Sequence, residues 1–286
     1  MWVVFAFSAA VFSGLSVIFQ KQGMNGKPQQ ISAMSNTAGL AVMLLAVCID
    51  GSICEIWEIS PRSWWLIIAS GGVQALSWLT YFLALKDARV NVMMALDKVN
   101  IVAAMLLSHY ILGEAITAWM IVGCTLILLG SAVMANIRPG IHGKSNDRQW
   151  MIWAVVSPCL QALANVLAKM DTSPTDPDLS AMLRTLVVIA VLWGCSFVCE
   201  GHPDCRRMLS GRAGINLLLG GAMVGISYIF MYRAIYDGIN AVVTPIVKTN
   251  FLISTAAACL FLHEKFSKQD AAGFLAVAIG VSLFLV

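Results

Sequence analysis

Two lysines stand where a charge is costly. Lys98 falls about seven residues into one long apolar run, and Lys248 falls at the same depth in another. Each is followed two residues on by an asparagine, Asn100 and Asn250. A charged side chain at the middle of a membrane-length segment costs about 3 kcal/mol and as a rule faces a cavity or a partner. Arg184, six residues into its run, is a third cation of this kind. Arg233 lies near a run's end, where its long stem can carry the charge out to water. Asp97 is the one acid well inside a run. Four cations against one acid make an electropositive cavity suited to a carboxylate or phosphate, with Lys acting as a point charge and Arg as a planar fork. For Arg184 an ion pair with Asp97 and a ligand contact both stay open. Asp97 and the two lysines are also the groups that could couple a proton.

Polar and aromatic residues recur around these charges. Ser77-Trp78 corresponds to Ser227-Tyr228, and Tyr81 and Tyr232 follow at near-helical spacing. Gln161 and Asn165 are four apart and share a helix face. They could orient a ligand, or they could serve as hydrogen-bonding glue between helices. The four histidines have no metalloprotease spacing, and there is no nucleophile elbow, P-loop or dinucleotide fingerprint. The chain reads as a non-enzyme, with no catalytic residue, metal or cofactor. The eight cysteines form no metal-like pair and read as small packing residues.

These groups need elements to hold them. Only 12% of the 286 residues are charged and 59% are hydrophobic, against about 25% charged in soluble domains. Mean hydropathy is +0.81. A soluble enzyme, a disordered chain and a disulfide scaffold are excluded, and a net charge of +3 gives no reason to expect nucleic acid. About 20 apolar residues span a bilayer as a helix. Ten such runs are present: 2–19, 31–49, 64–85, 92–112, 119–137, 150–168, 179–198, 215–235, 242–262 and 271–286. The first has no basic segment before it and is read as a span, not a cleaved signal. Six tryptophans, Trp2 and Trp150 among them, fall near span ends, where indoles favour the interface. Loops 1–2, 3–4, 5–6, 7–8 and 9–10 carry twelve Lys and Arg; the others carry two, Arg62 and Lys169. The positive-inside rule then puts both termini on the non-cytoplasmic side.

The chain also repeats itself. At an offset of 150, residues 71–130 match 221–280 at eleven of sixty positions, including Asp87/Asp237, Lys98/Lys248, Asn100/Asn250 and Glu114/Glu264. Earlier the offset is 148, pairing Ile31-Ser-Ala-Met34 with Leu179-Ser-Ala-Met182, and Asn36 with Arg184. The expected organisation is an all-α membrane protein of ten transmembrane helices in two inverted five-helix repeats: residues 1–138, a connecting loop 139–148, and residues 149–286. Five spans is an odd number, so the second copy enters the membrane inverted. Inverted halves put a substrate site at mid-membrane and open it to each side in turn. An old duplication kept for packing is the alternative. Glycines clustered in the spans permit close helix contact. Pro158 and Pro245 can break helix bonding, the second three residues before Lys248.

Leu112-Gly-Glu114, Gly123 and Gly130, echoed by Leu262-His-Glu264, Gly273 and Gly280, resemble the EamA-type transporters of the drug/metabolite transporter superfamily over nearly the whole chain. That resemblance implies a secondary transporter of small metabolites that hydrolyses no ATP, with Glu114 and Glu264 as structural helix-end residues. Lys98 and Lys248-Thr249 are similar to the lysines that bind the substrate's phosphate in the sugar-phosphate and nucleotide-sugar branch. The short chain is more similar to the bacterial branch, which implies the bacterial inner membrane and widens the substrate to organic anions. Family members commonly have cytoplasmic termini; the loop charges here give the opposite expectation.

The expected function is a secondary active transporter of a small anionic or zwitterionic metabolite working by alternating access. Its substrate-binding candidates are Lys98, Lys248, Asn100, Asn250, Arg184, Trp78, Tyr81, Tyr228, Tyr232, Ser77, Ser227, Gln161 and Asn165, with Asp97 as the coupling candidate. Partners are the small-molecule substrate, the lipid bilayer and a proton or counter-substrate, the protein being a monomer or homodimer. One rival keeps the fold with neutral or amphipathic substrates; another is an intramembrane enzyme or lipid scramblase.

Overall fold

Long apolar runs free of period-two alternation fold as helices, which satisfy their own backbone groups in lipid. The structure, a computed structural model, describes residues 1–23, 28–87, 96–134, 149–170, 176–201, 205–261 and 268–285. Within them the main helices are α1 (Trp2–Gln22), α2 (Pro28–Asp50), α3 (Pro61–Asp87), α4 (Val99–Leu112), α5 (Ala118–Met134), α6 (Gln149–Lys169), α7 (Pro177–Glu200), α8 (Gly211–Asp237), α9 (Asn240–Val247), α10 (Asn250–Phe261) and α11 (Lys268–Ser282), with no strand among the described residues. Of these, α1, α2, α6, α7 and α8 contain segments long and apolar enough to cross a membrane, and α4, α5 and α11 contain shorter apolar stretches. The expected loop 139–148 and the Leu262-His-Glu264 motif lie outside the described residues.

Local signals set several ends. Pro177 begins α7, and the Asp176 carboxylate accepts from the Asp178 amide at 2.7 Å, filling one of the orphan donors of the first turn. Gly113 ends α4 at φ +71°, a backbone conformation that favours glycine.

Polarity is turned inside out. Leu45, Leu129, Ile152, Ile215 and Leu275 are exposed, whereas Lys98, Asn100, Asn165, Arg184 and Asn240 are buried. An apolar exterior of this extent fits a lipid environment. The main buried cluster takes in Met43, Val47, Ile101, Leu179, Tyr232, Ile246 and Leu252.

The helix pairings come in exchanged sets. α1 packs on α8 and α3 on α6; α2 packs on α8 and α3 on α7; α1 packs on α10 and α4 on α6. α5 packs on α11, where small residues let the backbones nearly touch. A Cβ on Gly123 would come 2.5 Å from the Gly280 carbonyl oxygen, and a Cβ on Gly280 would come 2.8 Å from the Gly123 carbonyl oxygen.

Candidate functional site

Both lysines sit at helix breaks. Residues 97–98 form a turn ahead of α4, and 248–249 form a turn between α9 and α10. The Ile101 amide donates to Lys98 O at 3.0 Å, and the Thr249 amide donates to Ile246 O at 3.0 Å, both three residues apart instead of four. Pro245 lies inside α9 just before its break, where it removes an amide donor. The breaks meet: Lys98 Nζ donates to the Lys248 carbonyl oxygen at 3.3 Å.

Asp97 serves both lysines. Its Oδ2 lies 2.8 Å from Lys248 Nζ and 3.9 Å from Lys98 Nζ. Lys248 also donates to Gln161 Oε1 at 3.1 Å, and Lys98 Nζ stands 4.6 Å from the centre of the Phe251 ring. This cluster holds two cations and one anion, and Lys98 is only 3% exposed.

Arg184 belongs to a different contact set. Its open pairing with Asp97 is not what the fold builds. Nη2 donates to the Ala164 carbonyl at 2.9 Å, the guanidinium carbon lies 4.9 Å from the centre of the Tyr232 ring, and Nε and Nη1 are buried without a partner. Arg184 lines a cavity with Asn36, Gln74, Gln161, Tyr228 and Tyr232. It also lines a second, adjoining pocket with Ser70, Ala168, Ser180, Tyr232 and Tyr236. Arg184 and Tyr232 are thus the wall common to both spaces. Gln161 joins the lysine cluster to the first.

Other expected site residues make contacts with neighbouring helices. Ser77 Oγ donates to Ser157 O at 2.8 Å, and Ser227 Oγ donates to Ala9 O at 2.8 Å. Asn100 donates to Pro158 O at 2.8 Å and Asn250 to Ser13 Oγ at 2.9 Å. Trp78 packs on Ala33, Val188 and Leu192, and Tyr81 on Ala84, Trp150 and Ala154. The Trp78 and Tyr81 rings meet edge to face at 6.0 Å. Asn165 is buried with an unpartnered Oδ1. Asn36 and Gln74 join the expected residues in the cavity lining. Their signal was an amide in an apolar run, and for Asn36 its repeat match to Arg184.

One end of the bundle carries a set of cross-chain ties. The Glu114 carboxylate accepts from the Asn240 and Ala241 amides, both at 2.9 Å, and pairs with Lys169 at 3.0 Å. Glu114 therefore caps α9. Lys169 also donates to the Gly238 carbonyl oxygen. Arg233, expected to reach water alone, instead forks onto buried Asp178 at 2.5–3.1 Å and reaches Asp50 at 3.2 Å. Glu55 accepts from the Asp176 amide at 3.1 Å. Among the described residues no cluster of His, Cys, Asp and Glu could hold a metal.

Comparisons with known proteins agree with this architecture. The chain is 28% identical over 140 residues to an "Uncharacterized transporter in cobO 3'region" from Sinorhizobium sp, an alignment covering 49% of this chain and 99% of that protein. Its fold is similar to that of a solved crystal structure with a TM-score of 0.83 at 16% identity, over 99% of this chain and 95% of the other. The EamA-like transporter family model matches residues 1–136 and 148–286. With nearly the whole length matched, the chain belongs to the EamA-like transporter family, and it is a membrane transporter protein built of helices.

Proposed function

We propose that this transporter is a secondary active carrier of a small organic metabolite, anionic or zwitterionic, moved by alternating access between two inverted five-span halves. The observation that carries the substrate charge is the imbalance at the centre: among the described residues Lys98 and Lys248 share one acid, Asp97, and Arg184, which lines the cavity beside them, meets none. A site with surplus buried positive charge favours an anion. The exchanged helix pairings, and the matched bonds Ser77 to Ser157 and Ser227 to Ala9, support the inverted halves. Residues 157 and 9 differ by 148, the offset of the sequence repeat in that region. Such halves rock about a shared site. The membrane is the bacterial inner membrane, with both termini outside the cytoplasm as the loop charges require.

Uptake into proteoliposomes is the test. Lys98→Ala and Lys248→Ala should each slow transport of the identified anion a few-fold, because each removes positive charge from the centre. Full transport by both variants would remove the lysines from the function.

A second reading has its own support. The 2.8 Å Asp97–Lys248 pair already compensates one lysine inside the protein, which suits a neutral or amphipathic metabolite. Equal competition by uncharged analogues would favour it.

A further inference from the structure

We propose that Arg184 is the carboxylate-binding group of the central cavity, and that Lys98 and Lys248 set the cavity's charge without touching the ligand. This deepens the transport reading by naming the ligand group and its receptor. The argument starts from unspent hydrogen-bonding capacity. A guanidinium has five N–H donors and no acceptor. Arg184 is 2% exposed, places one donor on Ala164 O and leaves Nε and Nη1 with nothing. Unpaired donors on a buried charge are costly to the protein alone, and a carboxylate in the adjoining cavity would satisfy them. Lys248 differs: Asp97 and Gln161 already hold it at 2.8 and 3.1 Å. Lys98 is turned toward Lys248 O and the Phe251 ring. Neither lysine is among the groups lining the cavity.

The cavity also states what the rest of the ligand needs. Asn36 donates to Ser32 O at 2.8 Å, which fixes its amide orientation, and leaves Oδ1 buried and unpaired. An acceptor without a partner asks for a donor. The Gln161 carbonyl is taken by Lys248, so its amide N–H groups remain to donate. Tyr228 and Tyr232 provide apolar faces, their ring centres 6.2 Å apart. The ligand class is therefore a small carboxylate bearing a hydrogen-bond donor, held by Arg184 and Gln161 at its acid end and by Asn36 at its donor. The sequence match of Asn36 to Arg184 makes them corresponding positions of the two halves that face one cavity with opposite chemistry.

Isothermal titration of the purified full chain tests this with four probes: lactate, propanoate, lactamide and inorganic phosphate. Lactate should bind, propanoate more weakly for want of the hydroxyl donor, and lactamide and phosphate should fail. Arg184→Gln should weaken lactate by about tenfold or more, the worth of a charged hydrogen bond, while Lys98→Gln and Lys248→Gln change it only a few-fold. The melting temperature of Arg184→Gln guards against misfolding as an explanation. The substitution removes a buried cation with unpaired donors, so the protein alone should melt no lower while lactate binding falls. Phosphate as the preferred probe with the lysines as its determinants, unchanged lactate binding by Arg184→Gln, or no saturable binding of either acid would each overturn the assignment. Lactate bound through Arg184 without uptake into vesicles would keep this site and sink the transport reading. Anion uptake indifferent to Arg184 would do the reverse.

Discussion

Asp97 Oδ2 lies 2.8 Å from Lys248 Nζ, although the two residues are 151 apart in the chain. The bond ties the break ahead of α4 to the break between α9 and α10. It makes the adjacent Lys98, 3.9 Å from the same oxygen, the less satisfied of the two lysines.

Removing that acid should cost stability. Breaking a part-buried pair leaves an uncompensated charge, a loss of up to about 3 kcal/mol. Asp97→Asn should lower the melting temperature in detergent clearly, and adding Lys248→Gln should recover part of the loss. A double variant no more stable than Asp97→Asn would mean that the two residues are not coupled.

Glu114 clasps α9 from 126 residues away, accepting two amides and pairing with Lys169. Glu114→Gln removes the charge that suits a helix N-terminus, worth about 1 kcal/mol, and also the ion pair. The end of the bundle that it ties should then open more often. A cysteine at Ser180, which lines the pocket beyond Arg184, should react faster with a maleimide in the Glu114→Gln protein, in a cysteine-free background. Equal reaction rates would show that Glu114 does not govern opening.

Arg233 has two acidic partners of unequal worth. Asp178 is fully buried, while the Asp50 side chain is 44% exposed. Exposed pairs contribute about 0–1 kcal/mol, and the Asp178 pair should contribute more because its acid end is dry, though Arg233 is itself 37% exposed. Asp178→Asn should therefore destabilise the protein several times more than Asp50→Asn in thermal unfolding. A larger effect at Asp50 would invert this ranking.

The α5–α11 contact has no room for a side chain. Gly123→Val would drive atoms into the Gly280 carbonyl and the Phe284 ring, and overpacking of this kind costs about 1–3 kcal/mol. A Cβ on Gly72 would meet nothing within 4 Å, so Gly72→Val is the control. Both variants compared by thermal unfolding should separate clearly; similar melting temperatures would mean that α5 and α11 part easily.

Composition and hydropathy are additive along the chain, so the amino-acid order alone determined the helical membrane class, the runs that become helices and the positions too polar for lipid. It also determined the likeness of the two halves, because Lys98 and Lys248 with their asparagines match at a fixed offset. Which groups those residues meet could not be read there. Asp97 sits next to Lys98 in sequence, yet its nearest cation is Lys248, because the broken helices bring distant backbones together. Arg184 was open between Asp97 and a ligand. Packing settled its protein contacts by putting Ala164 O and the Tyr232 ring beside it and leaving two nitrogens bare. The resemblance implied a helix-end role for Glu114, and the fold makes the helix it caps α9. A hydrogen bond needs two groups within about 3 Å, and across more than a hundred residues only the tertiary fold sets that distance.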